Sequence, residues 1–286
     1  MTAPLAPDRI AAAFVAACHA ELDALKPGNV HRHAAGHGME VEHFERAAAA
    51  AAPFIADPNL SVGQRILRAT EASFGATGLN TNLGIVLLCA PLAKAAGETS
   101  LGIGLRRRLD MILSALDEAD AKDAFAAIRL ANPAGLGKVE AGDVHNDTKP
   151  ITLIAAMRLA ADRDRIAHAY VTAYSDIFDF ALPLFQEARA VTNDSNLVVT
   201  TLHMALLAEF PDTHIVRKYG ADVAEAVREE AQTLKSCWSP VATAKSLSRL
   251  TEFDTKMKSA GHNPGTTADF VVATLFAAGV INRKPA

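Results

Sequence analysis

The sequence predicts an all-α fold, with a single compact multi-helix domain over residues 1–286. Half of the residues are hydrophobic and only 6% are aromatic, a mixture that favours closely packed helices over a β-sandwich. Apolar residues recur at helical spacing along most of the chain, whereas the strict alternation of a half-buried strand does not recur. A chain of this length buries a sizeable core. We therefore expect about 11 to 13 helices.

Helix boundaries follow from Pro, Gly and capping residues. Pro7 and Asp8 open the first helix, and Lys26-Pro27-Gly28 closes it because Pro and Gly do not continue a helix. Residues 131–150, rich in Gly, Pro, Asn and Asp, form the longest connection, which we interpret as a polar loop over one core rather than a domain linker. The other predicted helices cover residues 40–53, 61–76, 81–96, 104–118, 120–130, 149–161, 164–191, 194–209, 220–235, 241–259 and 267–280.

Charge and cysteine content exclude several classes of function. A net charge of −4 and a pI near 6.2 give no strong field that would attract nucleic acid or an acidic membrane. Cys18, Cys89 and Cys237 are odd in number and widely spaced, which predicts neither a disulfide framework nor a cysteine zinc site. No signal peptide is visible, and no apolar run reaches about 18 residues. We expect a cytoplasmic protein with neither a nucleic-acid nor a membrane partner.

Standard nucleotide-binding, hydrolase and zinc-protease motifs are absent, and the polar residues gather instead in five clusters. The glycines and lysine of GLGKVEAGD do not have P-loop spacing, and no strand precedes them. The clusters are KPGNVHRHAAGHGM (26–39), TGLNTNLG (77–84), GLGKVEAGDVHNDTKP (135–150), PDTHIVRKYG (211–220) and NPGTTADF (263–270).

Each cluster alone also fits an ordinary turn or helix cap. Thr266 or Thr267, for example, fits an N-cap with Asp269 in the first turn of the helix. Several asparagines and charges nevertheless exceed what turns and caps require, and this excess favours a binding site. These residues are Lys26, Asn29, Asn80, Asn82, Asp143, Asp212, His214 and Arg217.

From about residue 10 to 280, the stretches KPGN, TGLNTNLGIVLL, PDTHIVRKYG and NPGTTADFVVATLF resemble, in order, the signature blocks of the triphosphoribosyl-dephospho-CoA synthase family. That family serves the citrate and malonate lyase systems, where it makes the precursor of an acyl-carrier prosthetic group. The resemblance implies an all-α, ATP-dependent transferase. Such an enzyme moves the 5-triphosphoribosyl unit of ATP to the 2'-hydroxyl of dephospho-CoA, and adenine leaves.

Three departures from the family pattern bear on the acceptor. Lyase-linked members typically read TGGVNTHKG, so Asn82 and Leu83 replace a His-Lys pair, and His37-Gly38-Met39 lacks the carboxylate of a His-x-Asp-Met element. NPGTTAD replaces SPGGSAD. These forms resemble the archaeal-type branch, also found in methylotrophic bacteria near genes for methanopterin- and methanofuran-linked one-carbon metabolism. Two alternatives follow: a phosphate-handling or condensing enzyme of one-carbon coenzyme biosynthesis, and a catalytically inactive nucleotide-binding helical protein.

The resemblance and the chemistry of a triphosphate together indicate nucleotide contacts. Helix N-termini favour phosphate oxygens, and amide side chains hold a ribose or a base edge without adding charge. Lys26 and Arg217 are candidate phosphate partners, and Lys26→Met is expected to lower ATP affinity at a nearly unchanged melting temperature. The candidate contacts are Lys26, Gly28, Asn29, Asn80, Thr81, Asn82, Gly84, Arg217, Gly265, Thr266 and Thr267.

Metal ligands and catalytic groups are predicted from the same clusters. Mg²⁺ prefers carboxylate oxygen, which makes Asp143, Asp212 and Asp269 its candidate ligands. Glu71, which resembles an acid of the family in the helix before TGLNTN, is a candidate catalytic base or metal ligand. His37 and His214 are candidate proton donors to the leaving adenine. A homodimer is the one assembly we consider.

Overall fold

Helices account for the regular structure in the computed structural model, which describes residues 4–32, 34, 38–98, 103–132 and 150–281. These residues form no strand, and the His31–Ala34 pair is an isolated β-bridge. The all-α prediction is therefore confirmed. The helices are α1 (Pro7–Asp23), α2 (Val41–Ala56), α3 (Val62–Thr77), α4 (Leu83–Gly97), α5 (Leu105–Ser114), α6 (Glu118–Ala131), α7 (Leu153–Ala160), α8 (Arg165–Val171), a π-helix (Asp176–Ala181), α9 (Leu182–Val191), α10 (Ser195–Glu209), α11 (Thr213–Tyr219), α12 (Ala221–Thr233), α13 (Lys235–Trp238), α14 (Leu247–Ser259) and α15 (Gly265–Ile281).

The described residues contain fifteen α-helices, more than expected, partly because the helix predicted over residues 164–191 is interrupted. Ala173 and Tyr174 adopt left-handed conformations with φ of 47° and 57°, and the π-helix follows. The Tyr174 side chain is fully buried, and its hydroxyl donates to the Leu88 carbonyl at 3.1 Å. We infer that this burial offsets the local cost of the left-handed backbone.

Contacts within the chain divide it into two compact units. Unit 1 comprises Met1–Ala17, His43–Ser175 and Leu275–Ala286, and unit 2 comprises Cys18–Glu42 and Asp176–Thr274. The single domain predicted over residues 1–286 stays a prediction, and most of the loop predicted at 131–150 lies outside the described residues. In the described part of the chain, no helix combines the length and the apolar character needed to cross a membrane.

Helix α4 lies in the core of unit 1, with 12 of its 15 residues buried. Pro91 lies inside this helix and has no N–H, so the carbonyl of Leu87 lacks its usual donor within the helix. The Tyr170 hydroxyl, from α8, donates to that carbonyl at 2.7 Å. A long-range hydrogen bond thus compensates for the proline and fixes the helix that begins directly after the sequence Asn80–Asn82.

The core of unit 2 is formed chiefly by α10, α12, α13 and α14. Residues 198–208 of α10 are all buried, and Trp238 of α13 donates from its indole N–H to the Ala231 carbonyl at 3.0 Å. Leu25, just after α1, packs into the same core. The KPGN segment therefore begins directly after a residue that is fixed in this core.

Candidate functional site

The segment Lys26–Asn29 forms a tight turn of type II geometry. The Asn29 N–H donates to the Lys26 carbonyl at 3.0 Å, with Pro27 and Gly28 at the two central positions. Gly28 has a φ of +83°, as the second central position of a type II turn requires. A Cβ at Gly28 would also lie 2.6 Å from the Met257 methyl group. The prediction that Pro and Gly end helix α1 in a turn is confirmed.

The Lys26 ammonium is fully buried beneath this turn. It donates to the Glu21 carboxylate, to the Val30 carbonyl at 2.7 Å and to the Asn29 side-chain oxygen at 3.2 Å. An ammonium has three protons and these three contacts use them, so a direct contact of Lys26 with phosphate, which stays a prediction, would require one of the contacts to be exchanged. Burial lowers the pKa of Lys26 and raises that of Glu21, and the attraction between the two opposes both shifts. An unchanged melting temperature for Lys26→Met does not fit this geometry.

Asp254, on α14, holds the turn from one side. Its Oδ1 accepts the Gly28 N–H at 2.8 Å. Its Oδ2 accepts from Lys258 Nζ at 3.0 Å and lies 3.2 Å from His31 Nε2. Burial alone would raise the pKa of Asp254, but the hydrogen bonds from His31, Lys258 and Gly28 outweigh it and lower the pKa below its usual value. Asp254 is therefore a buried carboxylate that remains charged near neutral pH.

His203, on α10, contacts the turn from another side. Its Nε2 lies 3.2 Å from the Pro27 carbonyl, and since a carbonyl only accepts, we assign the ring proton to Nε2. The other ring nitrogen is buried and has no hydrogen-bond partner among the described residues. Burial, together with the nearby positive charge of Lys26, lowers the pKa of His203 to about 3. His203 is therefore neutral in the folded protein near neutral pH.

A neutral, buried His203 predicts a specific loss of stability in acid. Its pKa is about 3 in the folded protein against an ordinary 6.5, so the unfolded chain binds the proton first as the pH falls. This contribution is fully present above pH 6.5 and is lost as the pH falls towards 3, on the order of 2 kcal/mol by about pH 5.

Urea unfolding of the wild type and of His203→Gln at about pH 7.5 and pH 5 measures this loss. Glutamine keeps a donor for the Pro27 carbonyl but does not titrate. Between the two pH values, the wild type should lose about 2 kcal/mol more than the variant. Equal losses in the two proteins would contradict a neutral His203 in the folded state.

The clusters PDTHIVRKYG and NPGTTADF meet at Asp212, which is 3% exposed. Its Oδ1 caps α11 by accepting the N–H groups of His214 and Ile215, at 2.8 and 3.1 Å. Its Oδ2 accepts the N–H and the hydroxyl of Thr267, in the first turn of α15, at 2.7 and 2.8 Å. These four hydrogen bonds use the lone pairs of the carboxylate, so Mg²⁺ binding by Asp212, which stays a prediction, would have to displace some of them.

Asn29 connects the turn to the start of α15. Its side-chain Nδ2 donates to Asn263 Oδ1 at 2.8 Å, although the two residues are 234 positions apart in the sequence. The Gly265 N–H in turn donates to the Asn263 carbonyl at 2.9 Å. Together with the contacts of Asp212, this hydrogen bond brings three of the five sequence clusters together in unit 2.

The His214 ring lies against the first residue of α15. A Cβ at Gly265 would be 2.5 Å from His214 Nδ1, so the ring approaches this closely only because Gly265 has no side chain. The Thr213 hydroxyl donates to the hydroxyl of Thr266, which is buried, at 3.1 Å. The predicted proton donor His214 is thus half-buried beside the N-terminus of a 17-residue helix.

In unit 1, the cluster TGLNTNLG contacts α3 as well as the start of α4. Asn82 is the N-cap residue, but its side chain makes no cap hydrogen bond; its Nδ2 donates instead to Ser73 Oγ in α3 at 3.0 Å. Asn80 accepts the Leu83 N–H at a long 3.4 Å. The Thr81 hydroxyl is buried and has no partner among the described residues. The nucleotide contacts predicted here stay predictions.

The described residues present no preformed magnesium site. No group of three or more His, Cys, Asp or Glu side chains in this part of the chain is placed to hold a metal ion. Glu71 is exposed on α3 and pairs with Arg68 at 3.3 Å, as is typical of a solvated helix face. Asp269, half-buried on α15, stays a predicted ligand, and Asp143 lies outside the described residues.

Three other candidates stay predictions. Gly84 is half-buried in the first turn of α4, and Arg217 is half-buried in the last turn of α11. His37 lies outside the described residues. The role of Glu71 as a catalytic base also stays a prediction, although its exposure does not favour that role.

Sequence reasoning missed Asp254, Lys258 and His203, although each left a signal. Asp254 follows Phe253 on the buried face of α14, where a charge is costly unless it has partners. Lys258 lies four residues further along, the spacing of an ion pair on a helix. His203 interrupts an apolar run that includes residues 202 and 204–208. A charged or titratable residue inside an apolar helical stripe is the signal that would have identified Asp254 and His203.

Comparison with known proteins agrees with the resemblance of the sequence clusters. A family model described as "CitG: ATP:dephospho-CoA triphosphoribosyl transferase" matches residues 7–285. The fold is similar to the crystal structure of a proposed triphosphoribosyl-dephospho-CoA synthase from Archaeoglobus fulgidus, with a TM-score of 0.63 and 23% identity over 83% of this chain and 99% of that chain. At this identity the likeness supports the fold. No curated protein matches the chain.

Proposed function

Since the chain belongs to the ATP:dephospho-CoA triphosphoribosyl transferase family, we propose that the joined clusters of unit 2 serve that family's reaction. The chain is a transferase that moves a triphosphoribosyl unit from ATP to dephospho-CoA. One observation carries the proposal for the residues. Three of the clusters that resemble family blocks are connected by direct hydrogen bonds, from Asn29 to Asn263 and from Thr267 to Asp212.

The reaction requires one substitution at the ribose. A hydroxyl oxygen of the acceptor bonds to C1' of the ribose, and the bond from C1' to the adenine nitrogen breaks. The acceptor hydroxyl loses a proton and the leaving adenine gains one, while C1' develops positive charge in the transition state. We assign proton donation to His214, because it is half-buried beside the start of α15. His37 is the second predicted donor.

Binding of the triphosphate needs positive groups and backbone N–H donors. We propose that Arg217 binds phosphate, and that Asn29, Gly265, Thr266 and Thr267 line the same region. Asn80, Thr81 and Asn82 at the start of α4 are proposed as further nucleotide contacts, supported by the unpartnered, buried hydroxyl of Thr81. Mg²⁺ would arrive with the triphosphate rather than occupy a protein cage.

A second candidate for the acceptor substrate is an intermediate in the biosynthesis of one-carbon coenzymes. Where lyase-linked members typically carry a His-Lys pair, Asn82 is 6% exposed against Ser73, and Leu83 is 7% exposed. These two positions therefore offer no charged side chain to a substrate. Cytoplasmic location and a homodimer stay expectations from the sequence.

Product analysis tests the proposed function. The purified protein is incubated with ATP, Mg²⁺ and dephospho-CoA, and adenine and product mass are followed. We expect one adenine for each dephospho-CoA consumed, and a product heavier by one triphosphoribosyl unit. Turnover only with a pterin or furan acceptor would favour the one-carbon alternative. ATP binding without turnover of any acceptor would support the inactive nucleotide-binding protein instead.

A further inference from the structure

The peptide group between Pro27 and Gly28 is held at both of its polar ends. Its carbonyl, from Pro27, accepts a hydrogen bond from His203 Nε2 at 3.2 Å. Its N–H, from Gly28, donates to Asp254 Oδ1 at 2.8 Å. The C=O and N–H of a planar trans peptide point in opposite directions, so these two partners lie on opposite sides of the turn.

Rotation of this one peptide group is what separates type I from type II turns. Glycine tolerates either state, so Gly28 by itself does not decide between them. In the type I state, the N–H would turn away from Asp254 and the carbonyl away from His203. The two hydrogen bonds therefore both select the type II state in which Gly28 has its φ of +83°.

We propose that Asp254 and His203 are positioning residues that hold the Pro27–Gly28 peptide in the type II orientation and thereby direct Asn29 towards Asn263. The effect on catalysis rests on the proposed function, whereas the effect on the turn does not. Both residues act through the turn, because each bonds to its backbone.

The surroundings of Asp254 suit this role. A carboxylate on the buried face of a helix is costly unless its oxygens are hydrogen-bonded, and packing alone would favour an apolar residue there. Here Lys258 and His31 lie against Oδ2, while Oδ1 accepts the Gly28 N–H. A hydrogen bond from a backbone N–H to a charged carboxylate is among the stronger kinds, which fits a group that has to hold one peptide orientation.

Selective isotope labelling gives separate NMR signals for the carbonyl and the N–H of the Pro27–Gly28 peptide group. Carbonyl-¹³C proline combined with ¹⁵N glycine gives NMR signals only from Pro-Gly pairs, of which the chain has two, Pro27-Gly28 and Pro264-Gly265. The second pair reports on the start of α15, which the Asn29–Asn263 hydrogen bond connects to the turn. Lys256→Met is the matched control on the same helix, because Lys256 is exposed and pairs with Glu230 at 2.7 Å.

We expect Asp254→Ala to move the Gly28 amide signal and to speed its hydrogen exchange about tenfold or more. Asp254→Asn, which keeps an oxygen acceptor, should have a smaller effect. His203→Leu should move the carbonyl signal of Pro27, and His203→Gln should restore it. The Gly265 signal should change less in every variant, and Lys256→Met should change neither pair.

Adenine release measured on the same proteins tests the positioning role. Asp254→Ala and His203→Leu should each lower kcat/KM for ATP about tenfold or more, with partial recovery in Asp254→Asn and His203→Gln.

Unmoved Gly28 and Pro27 signals would overturn the proposal, and the His203 variants decide it alone if Asp254→Ala does not fold. Moved signals with wild-type turnover would overturn the role in catalysis. If the wild type releases no adenine, the proposed function fails, while the two NMR signals still decide how the turn is held.

Discussion

Lys26→Met should lower the free energy of unfolding by about 3 to 5 kcal/mol. Methionine keeps the aliphatic stem but removes the charge, and the Glu21 carboxylate, which is also buried, then loses its ion-pair partner. The Val30 carbonyl and the Asn29 oxygen lose a donor at the same time. Urea unfolding of the purified variant measures the change.

Two further variants test whether the loss of stability in Lys26→Met comes from the buried ion pair with Glu21. Lys256→Met removes an exposed lysine that pairs with Glu230 and should cost about 1 kcal/mol or less. Adding Glu21→Gln to Lys26→Met should recover part of the loss, because the unpaired buried charge is then gone. A Lys26→Met protein as stable as the wild type would contradict the buried ion pair.

Asp212→Ala should have the second-largest effect, a loss of about 2 to 4 kcal/mol. The substitution removes the cap of α11 and the acceptor for the N–H and hydroxyl of Thr267, which is buried. Donors at the start of two helices thereby lose their partner. Urea unfolding again measures the change in the free energy of unfolding.

Asp194→Ala is the matched control for Asp212→Ala. Asp194 caps α10 through the N–H groups of Asn196 and Leu197, at 3.0 and 3.2 Å, and it is exposed. Its removal should cost about 1 kcal/mol, the usual value for one cap. Equal losses for the two alanine variants would mean that the contacts of Asp212 with α15 add no stability.

The features predicted well from sequence are those that local patterns determine. Helical spacing of apolar residues predicted the all-α fold, and Pro27 with Gly28 predicted the end of α1, because each depends on neighbours along the chain. The order of the polar clusters also indicated which segments belong together. Three of the clusters are joined in unit 2, through Asn29, Asn263 and Asp212.

The features missed depend on side-chain contacts that no spacing pattern reports, whether the partners are near in the sequence, as for Lys26, or far away, as for Asp254. Whether Lys26 can reach a phosphate depends on how many of its protons the folded chain already uses, and no local pattern reports that number. The same is true of the lone pairs of Asp212. Asp254 is 226 residues from Gly28, so its contact with the turn follows only from the packing of α14.

Hydrogen–deuterium exchange with and without ATP and Mg²⁺ tests most directly whether the joined clusters of unit 2 bind the nucleotide. We expect ATP to slow exchange in peptides that cover residues 26–32, 211–220 and 263–269, because bound phosphate and base shield or order these backbone groups. Peptides that cover α12 serve as the reference. Slower exchange elsewhere, with these three segments unchanged at saturating ATP, would contradict the assignment of the nucleotide site to these clusters.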